Sequence, residues 1–217
     1  MARGERPSSS AQSLIPPGAS LPTLRQVADG CRACDLWEKA THTVFSEGSG
    51  KASLMLVGEM PSSAEDLAGR PFVGPAGKLL DRALGEAGID RASTYVTNVV
   101  KHFRWEPQGK RRIHAKPSSR QIAACLPWLQ AEIALVRPKV LVCLGATAAQ
   151  ALLGRDFRVS TQRARLIESS LAPHLLATVH PSSILRSPDE ASRRSEFQRF
   201  VDDLRKVAPL LVPSPSG

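Results

Sequence analysis

Apolar residues recur along this chain in two alternating spacings. Short β-branched or continuous apolar runs at residues 53–57, 94–100, 139–144 and 175–179 have the length and composition of buried strands. Between them the apolar positions fall three and four apart. The stretch 76–87 carries Leu79, Leu80, Ala83, Leu84 and Ala87 and stops at Gly88; 146–153 is a small-residue helix that stops at Gly154; 195–207 closes the pattern. A short helix is expected over 23–30, and a longer one from Ser119, a capping residue, to about 136, with Pro127 predicting a kink or break. Four strands alternating with helices predict an α/β fold: a single domain with a four-stranded parallel sheet flanked by helices. No internal repeat or second domain is evident. Residues 1–20 are expected to be a disordered leader, 21–209 the domain and 210–217 a flexible tail.

In such a sheet, ligands gather at the carboxyl ends of the strands. Glu59, Asn98 and His180 all fall there. Glu59 belongs to Gly58-Glu59-Met60-Pro61, and a long polar loop over 62–75 follows, in which Phe72 stands among glycines and prolines. An aromatic ring in that setting has little regular face to pack on, so it is assigned to a ligand. His180-Pro181-Ser182-Ser183 with Arg186 combines a donor, two hydroxyls and a cation, a set suited to a phosphate or an anionic leaving group. The stretch from Lys110 to Ser119 reads as the reactive centre. It holds Lys110, Arg111, Arg112 and Lys116 around His114, and Gly109 and Pro117 bracket it, so a loop without helix or strand is expected. Its cations would attract a polyanion.

Composition sharpens the choice of partner. A formal charge of +9 and a pI near 9.9 favour a nucleic-acid backbone over acidic small substrates or a membrane surface. No apolar run reaches the roughly 20 residues of a membrane span, and no secretory signal is present, so an intracellular, cytoplasmic protein is expected; a monomer is expected as well. In that compartment disulfides are disfavoured. The four cysteines, Cys31, Cys34, Cys125 and Cys143, then leave three options open: a four-iron cluster, a zinc site or unrelated buried thiols.

Gly58-Glu59-Met60-Pro61, the run from Gly69 through Phe72 to Gly77, Thr97-Asn98-Val99-Val100-Lys101-His102, the four cysteines and the run from His180 to Arg186 together resemble the iron-sulfur uracil-DNA glycosylases of family 4. The resemblance covers roughly residues 23–208, and Lys110-Arg111-Arg112-Ile113-His114 is similar to the hallmark of the UdgX group, whose members become covalently joined to DNA. It implies a [4Fe-4S] cluster on Cys31, Cys34, Cys125 and Cys143, and a pocket for a uracil flipped out of DNA, single-stranded DNA being preferred. Phe72 would stack on the base; Asn98 would read its edge; His180 would donate to uracil O2; and Gly58 would belong to the same uracil site. Ser182, Ser183 and Arg186 would hold the strand together with Lys110, Arg111 and Arg112. His114 would attack C1′, with Glu59 orienting it and accepting its proton. Two other readings stand beside this one: an ordinary turning-over family 4 glycosylase, and a noncatalytic module that binds damaged DNA. The sequence departs from the UdgX pattern at Met60 and Ser62, where that group has glutamine and glycine, so any contact made by the glutamine amide is lost and a changed loop path is expected.

Overall fold

Residues 10–211 are described by the computed structural model of the chain. Its strands are β1 (Ser46–Gly48), β2 (Leu54–Gly58), β3 (Thr94–Asn98), β4 (Trp105–Gln108), β5 (Arg111–His114), β6 (Val140–Leu144), β7 (Leu166–Ser169) and β8 (Ala172–Thr178). The four expected strands are the centre of the main sheet, where β3, β2, β6 and β8 run parallel and every residue of β2, β3 and β6 is buried. The sheet has six strands rather than four, because β1 pairs antiparallel with β3 at one edge and β7 antiparallel with β8 at the other. Ser46-Glu47-Gly48 has no apolar residue, and β7 is only half buried, so neither edge carries the continuous apolar run of a central strand.

The helices are α1 (Leu21–Ala28), α2 (Ser63–Ala68), α3 (Pro75–Glu86), α4 (Ser119–Val136), α5 (Ala146–Leu153), α6 (Val159–Gln162), α7 (Pro181–Leu185), α8 (Glu190–Arg205) and α9 (Ala208–Leu211). Alternate strand residues feed two cores. Met55, Val57, Tyr95, Leu141 and Leu175 face one cluster with Trp128 and Leu129 of α4. Leu54, Leu56, Val96, Val142 and Leu176 face the other, with Leu80 and Leu84 of α3 and Phe200 and Leu204 of α8. Burial on both sheet faces is the main stabilising term, at about 1.5–3 kcal/mol for each fully buried large apolar side chain. Helix α4 passes through Pro127 as one element, so of the expected kink or break the break is absent.

Residues 1–9 of the expected leader and 212–217 of the expected tail lie outside the described residues. Residues 10–20 do not behave as a leader: Ala11–Leu14 is a 3-10 helix capped by Ser10, and Ala11 is fully buried in the first core with Ile15 and Ala19 packed against it. Leu210 and Leu211 likewise belong to α9 and pack on the second core. Among the described residues, no helix is long and apolar enough to cross a membrane.

The stretch expected to be an irregular loop is a hairpin. β4 and β5 form a separate two-stranded sheet with Trp105 opposite His114 and Gln108 opposite Arg111, turning through Gly109 at φ +58°. Glycine holds that left-handed conformation without a Cβ penalty. His114 therefore sits on a strand end in fixed register.

Candidate active site

Six chain segments meet at one cavity of about 710 Å³ at the carboxyl ends of the parallel strands. Glu59, Phe72, Asn98, His114, His180, Ser182, Ser183 and Arg186, all singled out in the sequence, line it. Gly58 packs against two of them: a Cβ there would stand 2.3 Å from the Asn98 amide oxygen and 2.9 Å from Cζ of Phe72. Lys110 and Arg111 are exposed at the hairpin and do not line the cavity.

Asn98 ends β3 and is nearly inaccessible, and its side-chain Nδ2 has no hydrogen-bond partner. An unpaired buried donor costs about 1–3 kcal/mol, and a ligand acceptor would relieve it. The backbone beneath it is fixed. The buried Lys101 ammonium donates to the Asn98 carbonyl at 2.9 Å and pairs with the buried Glu132 carboxylate, which also accepts from Tyr95 and Thr97.

Phe72 is buried at φ +56°, a conformation that costs a non-glycine residue of order 1 kcal/mol or more. Two features hold it. Gly77 lies so close beneath that a Cβ would strike the Phe72 carbonyl. Glu65 accepts backbone N–H groups from Ser62, at 2.7 Å, and from Phe72 and Gly74. Burial raises the Glu65 pKa, and those donors offset only part of the rise. Ser62 and Glu65 form a reciprocal capping box at the start of α2. The serine that departs from the UdgX pattern is thus a helix cap, and Met60 is buried in the first core while also touching the cavity.

His180 stands at the start of α7, where its Nδ1 accepts the Ser182 N–H at 3.2 Å and meets the Ser182 hydroxyl at 2.8 Å. An Nδ1 that accepts leaves the ring proton on Nε2. Burial lowers the His180 pKa to about 4, against the raising effect of Glu59, so the ring is neutral near pH 7. Its plane lies 30° from that of Phe72, with ring centroids 6.2 Å apart.

His114 is half exposed at the cavity mouth, and its Nε2 lies 3.3 Å from Oε1 of Glu59. Burial pushes the Glu59 pKa up, but hydrogen bonds from His114 and Thr147 outweigh it and hold the carboxyl below the usual glutamate value. Arg112 points away from solvent. Its guanidinium binds Asp66 at 2.6 Å and the Ser63 carbonyl at 3.0 Å, between the rings of Phe103 and Trp105 at 5.4 and 5.6 Å. That anchorage ties β5 to α2 and sets where His114 stands.

Thr147 and Glu65 also bear on the site, outside the motifs named above. Ser62-x-x-Glu65 carried the capping-box signal for one, and the small-residue turn after β6 placed the other at a strand's carboxyl end.

The cysteines are all free thiols. Burial raises Cys34 to about 11 and Cys125 to about 12, and each is pushed further by the charge of neighbouring cysteines: Cys31 for Cys34, and both Cys31 and Cys34 for Cys125. Trp128 Nε1–H points at Cys31 Sγ at 3.4 Å and the Lys101 N–H at Cys125 Sγ at 3.3 Å. Cys143 is raised to about 12 by burial alone, in the middle of β6. Among the described residues, no three His, Cys, Asp or Glu side chains stand in a metal-binding arrangement. Cys31, Cys34 and Cys125 lie in one neighbourhood, and Cys31, Cys125 and Cys143 share the first core cluster.

Comparison with known proteins places the chain in a family. The family model described as the uracil DNA glycosylase superfamily matches residues 45–205. A Type-4 uracil-DNA glycosylase of Pyrobaculum aerophilum is 34% identical over 186 residues, covering 82% of this chain and 90% of the relative. One from Thermotoga maritima is 37% identical over 179 residues, covering 82% and 87%. One from Archaeoglobus fulgidus is 34% identical over 189 residues, covering 83% and 92%.

Proposed function

Because the chain belongs to the uracil DNA glycosylase superfamily, we propose that its cavity takes a uracil flipped out of DNA, and that His114 captures the sugar left behind. Uracil-DNA glycosylase activity follows from the family and its Type-4 relatives; the covalent outcome is the further step. The observation that carries it is the His114 imidazole at the cavity mouth, 3.3 Å from the Glu59 carboxylate.

Phe72 offers a face for the base, and the unpaired Asn98 amide offers its donor to the uracil edge. As the bond from N1 to C1′ breaks, the electron pair leaves with uracil, and the Nε2–H of neutral His180 hydrogen-bonds the developing charge at O2. The oxocarbenium carbon then accepts an electron pair from the unprotonated ring nitrogen of His114. The imidazole proton passes to Glu59, which is ionised and already in contact. A tethered nucleophile competes with water through its high effective concentration. Ser182, Ser183 and Arg186 line the same cavity and suit the flanking phosphates, while the exposed Lys110 and Arg111 suit more distant ones, with single-stranded DNA the simplest substrate to thread past the hairpin.

Denaturing electrophoresis after mixing with uracil-containing single-stranded DNA tests the proposal. A heat-stable shifted band is the expected result. Released uracil with only unlinked protein favours the second reading, a turning-over enzyme like those named Type-4, in which water attacks C1′.

The resemblance also implies a four-iron cluster. The shared neighbourhood of Cys31, Cys34 and Cys125 supports it, with Cys143 in the same core, and no catalytic step is assigned to the cluster. Such a cluster would supply a structural clamp between the residues before β1 and α4. Anaerobic metal analysis distinguishes it from zinc: iron with sulfide is expected, and stoichiometric zinc would contradict it.

A further inference from the structure

The two carboxylate oxygens of Glu59 keep different company. Oε1 faces Nε2 of His114, and Oε2 accepts the hydroxyl proton of Thr147. Thr147 is buried in the first turn of α5, two residues past Gly145. Gly145 has φ +92°, donates its N–H to the Thr178 carbonyl at 2.8 Å, and leaves no room for a Cβ, which would lie 2.9 Å from Cβ of His180. One turn between β6 and α5 therefore touches both ionisable groups: its backbone packs on His180 and its hydroxyl grips Glu59. A glutamate carboxylate rotates in a broad terminal torsion when nothing pins it. Here a single donor decides which oxygen is left for the imidazole.

We propose that Thr147 is a positioning residue for the Glu59 and His114 pair, its hydroxyl holding Oε2 so that Oε1 is turned to the imidazole. The role given to His114 rests on the covalent reading above, whereas the hold on Glu59 applies to whichever nucleophile the carboxylate serves. The groups that face Glu59 are His114 from β5, His180 from the start of α7 and Thr147 from α5. Burial raises the Glu59 pKa, and the Thr147 and His114 contacts bring it below the usual value. Removing the hydroxyl takes away one lowering contact, so the pKa rises. A protonated carboxyl cannot take the imidazole proton, and the acid limb of the reaction moves to higher pH.

The test compares wild type with Thr147→Val, Thr147→Ala and Thr147→Ser. Uracil release and adduct formation are followed in single turnover across pH, and the Glu59 carboxyl is titrated by NMR in the DNA-free protein. Valine keeps most of the packing and deletes the donor; serine keeps the donor. We expect valine and alanine to slow adduct formation by roughly 10- to 100-fold near pH 6 and to raise both the acid limb and the Glu59 titration, with serine restoring both. A Thr147→Val protein within about twofold of wild type, with the same limb and the same Glu59 titration, overturns the inference. If wild type releases uracil without forming an adduct, the covalent reading fails, and Thr147 is still judged by the release profile and the titration. If wild type and Thr147→Val form adduct alike, the covalent reading stands and Thr147 only packs.

Discussion

Gly58 and Asn98 end neighbouring parallel strands in direct register, so close that a Cβ on Gly58 would stand 2.3 Å from the Asn98 amide oxygen. The same Cβ would press on Phe72. Gly58→Ala is therefore expected to displace the base-reading amide or the ring by a fraction of an ångström. Uracil release should fall by about 100-fold, the scale of a misplaced reacting group. Single-turnover release measured beside a thermal melt checks this: loss of activity with a melt unchanged by more than a few degrees is the expected pair.

His180 is held neutral by burial, with a pKa of about 4 against an ordinary 6.5. A lowered histidine pKa means the ring gains its proton only as the pH falls toward 4. Titration of His180 should leave uracil release flat from about pH 8 to about pH 5. His180→Ala should slow release and adduct formation together, since it weakens leaving-group stabilisation before a nucleophile is chosen. An inflection near pH 6.5 that His180→Ala removes would contradict this assignment.

Arg112 and Lys110 lie two residues apart, and the structure gives them opposite surroundings. Arg112 pairs with the fully buried Asp66 carboxylate, and removing it would leave a buried charge uncompensated, at a cost of about 3–5 kcal/mol. Arg112→Ala should lower stability and adduct yield while leaving the salt dependence of DNA binding unchanged. Lys110→Ala should do the reverse, lowering the slope of log affinity against log salt by about 0.7 if it meets one phosphate of a single strand. Binding isotherms at several salt concentrations separate the two; equal loss of slope in both would show Arg112 to be a phosphate ligand.

These outcomes trace how far the sequence could be read. The central strands were legible because two-face burial leaves unbroken apolar runs such as Val140-Leu141-Val142. The edges were not, because Ser46-Glu47-Gly48 pairs through its backbone and has no apolar pattern. The hairpin hid for a similar reason: Pro107 lies opposite Arg112, and cross-strand pairing leaves no mark in local composition. Of the cavity residues, Glu59, Phe72, Asn98, His114 and His180 were legible from chemistry and from the carboxyl-end rule. The direction of a charge was not. Arg112 looked like a neighbour of Lys110 and Arg111 until Asp66, 46 positions earlier, was seen to bind it. Cys143 combines two characters: its residue type suits a cluster ligand, and its place in β6 sets it in the first core, which Cys31 and Cys125 share.

The central claim is that His114 captures the sugar after the base has gone, and one time course tests it most directly. Uracil release and the covalent band are measured together for wild type and His114→Gly on the same uracil-containing single strand. The glycine leaves Phe72, Asn98 and His180 untouched and opens room for water at C1′. The account predicts that release persists, or becomes multi-turnover, while the covalent band disappears. Release abolished as completely as in His180→Ala, or a covalent band that survives in His114→Gly, would contradict it.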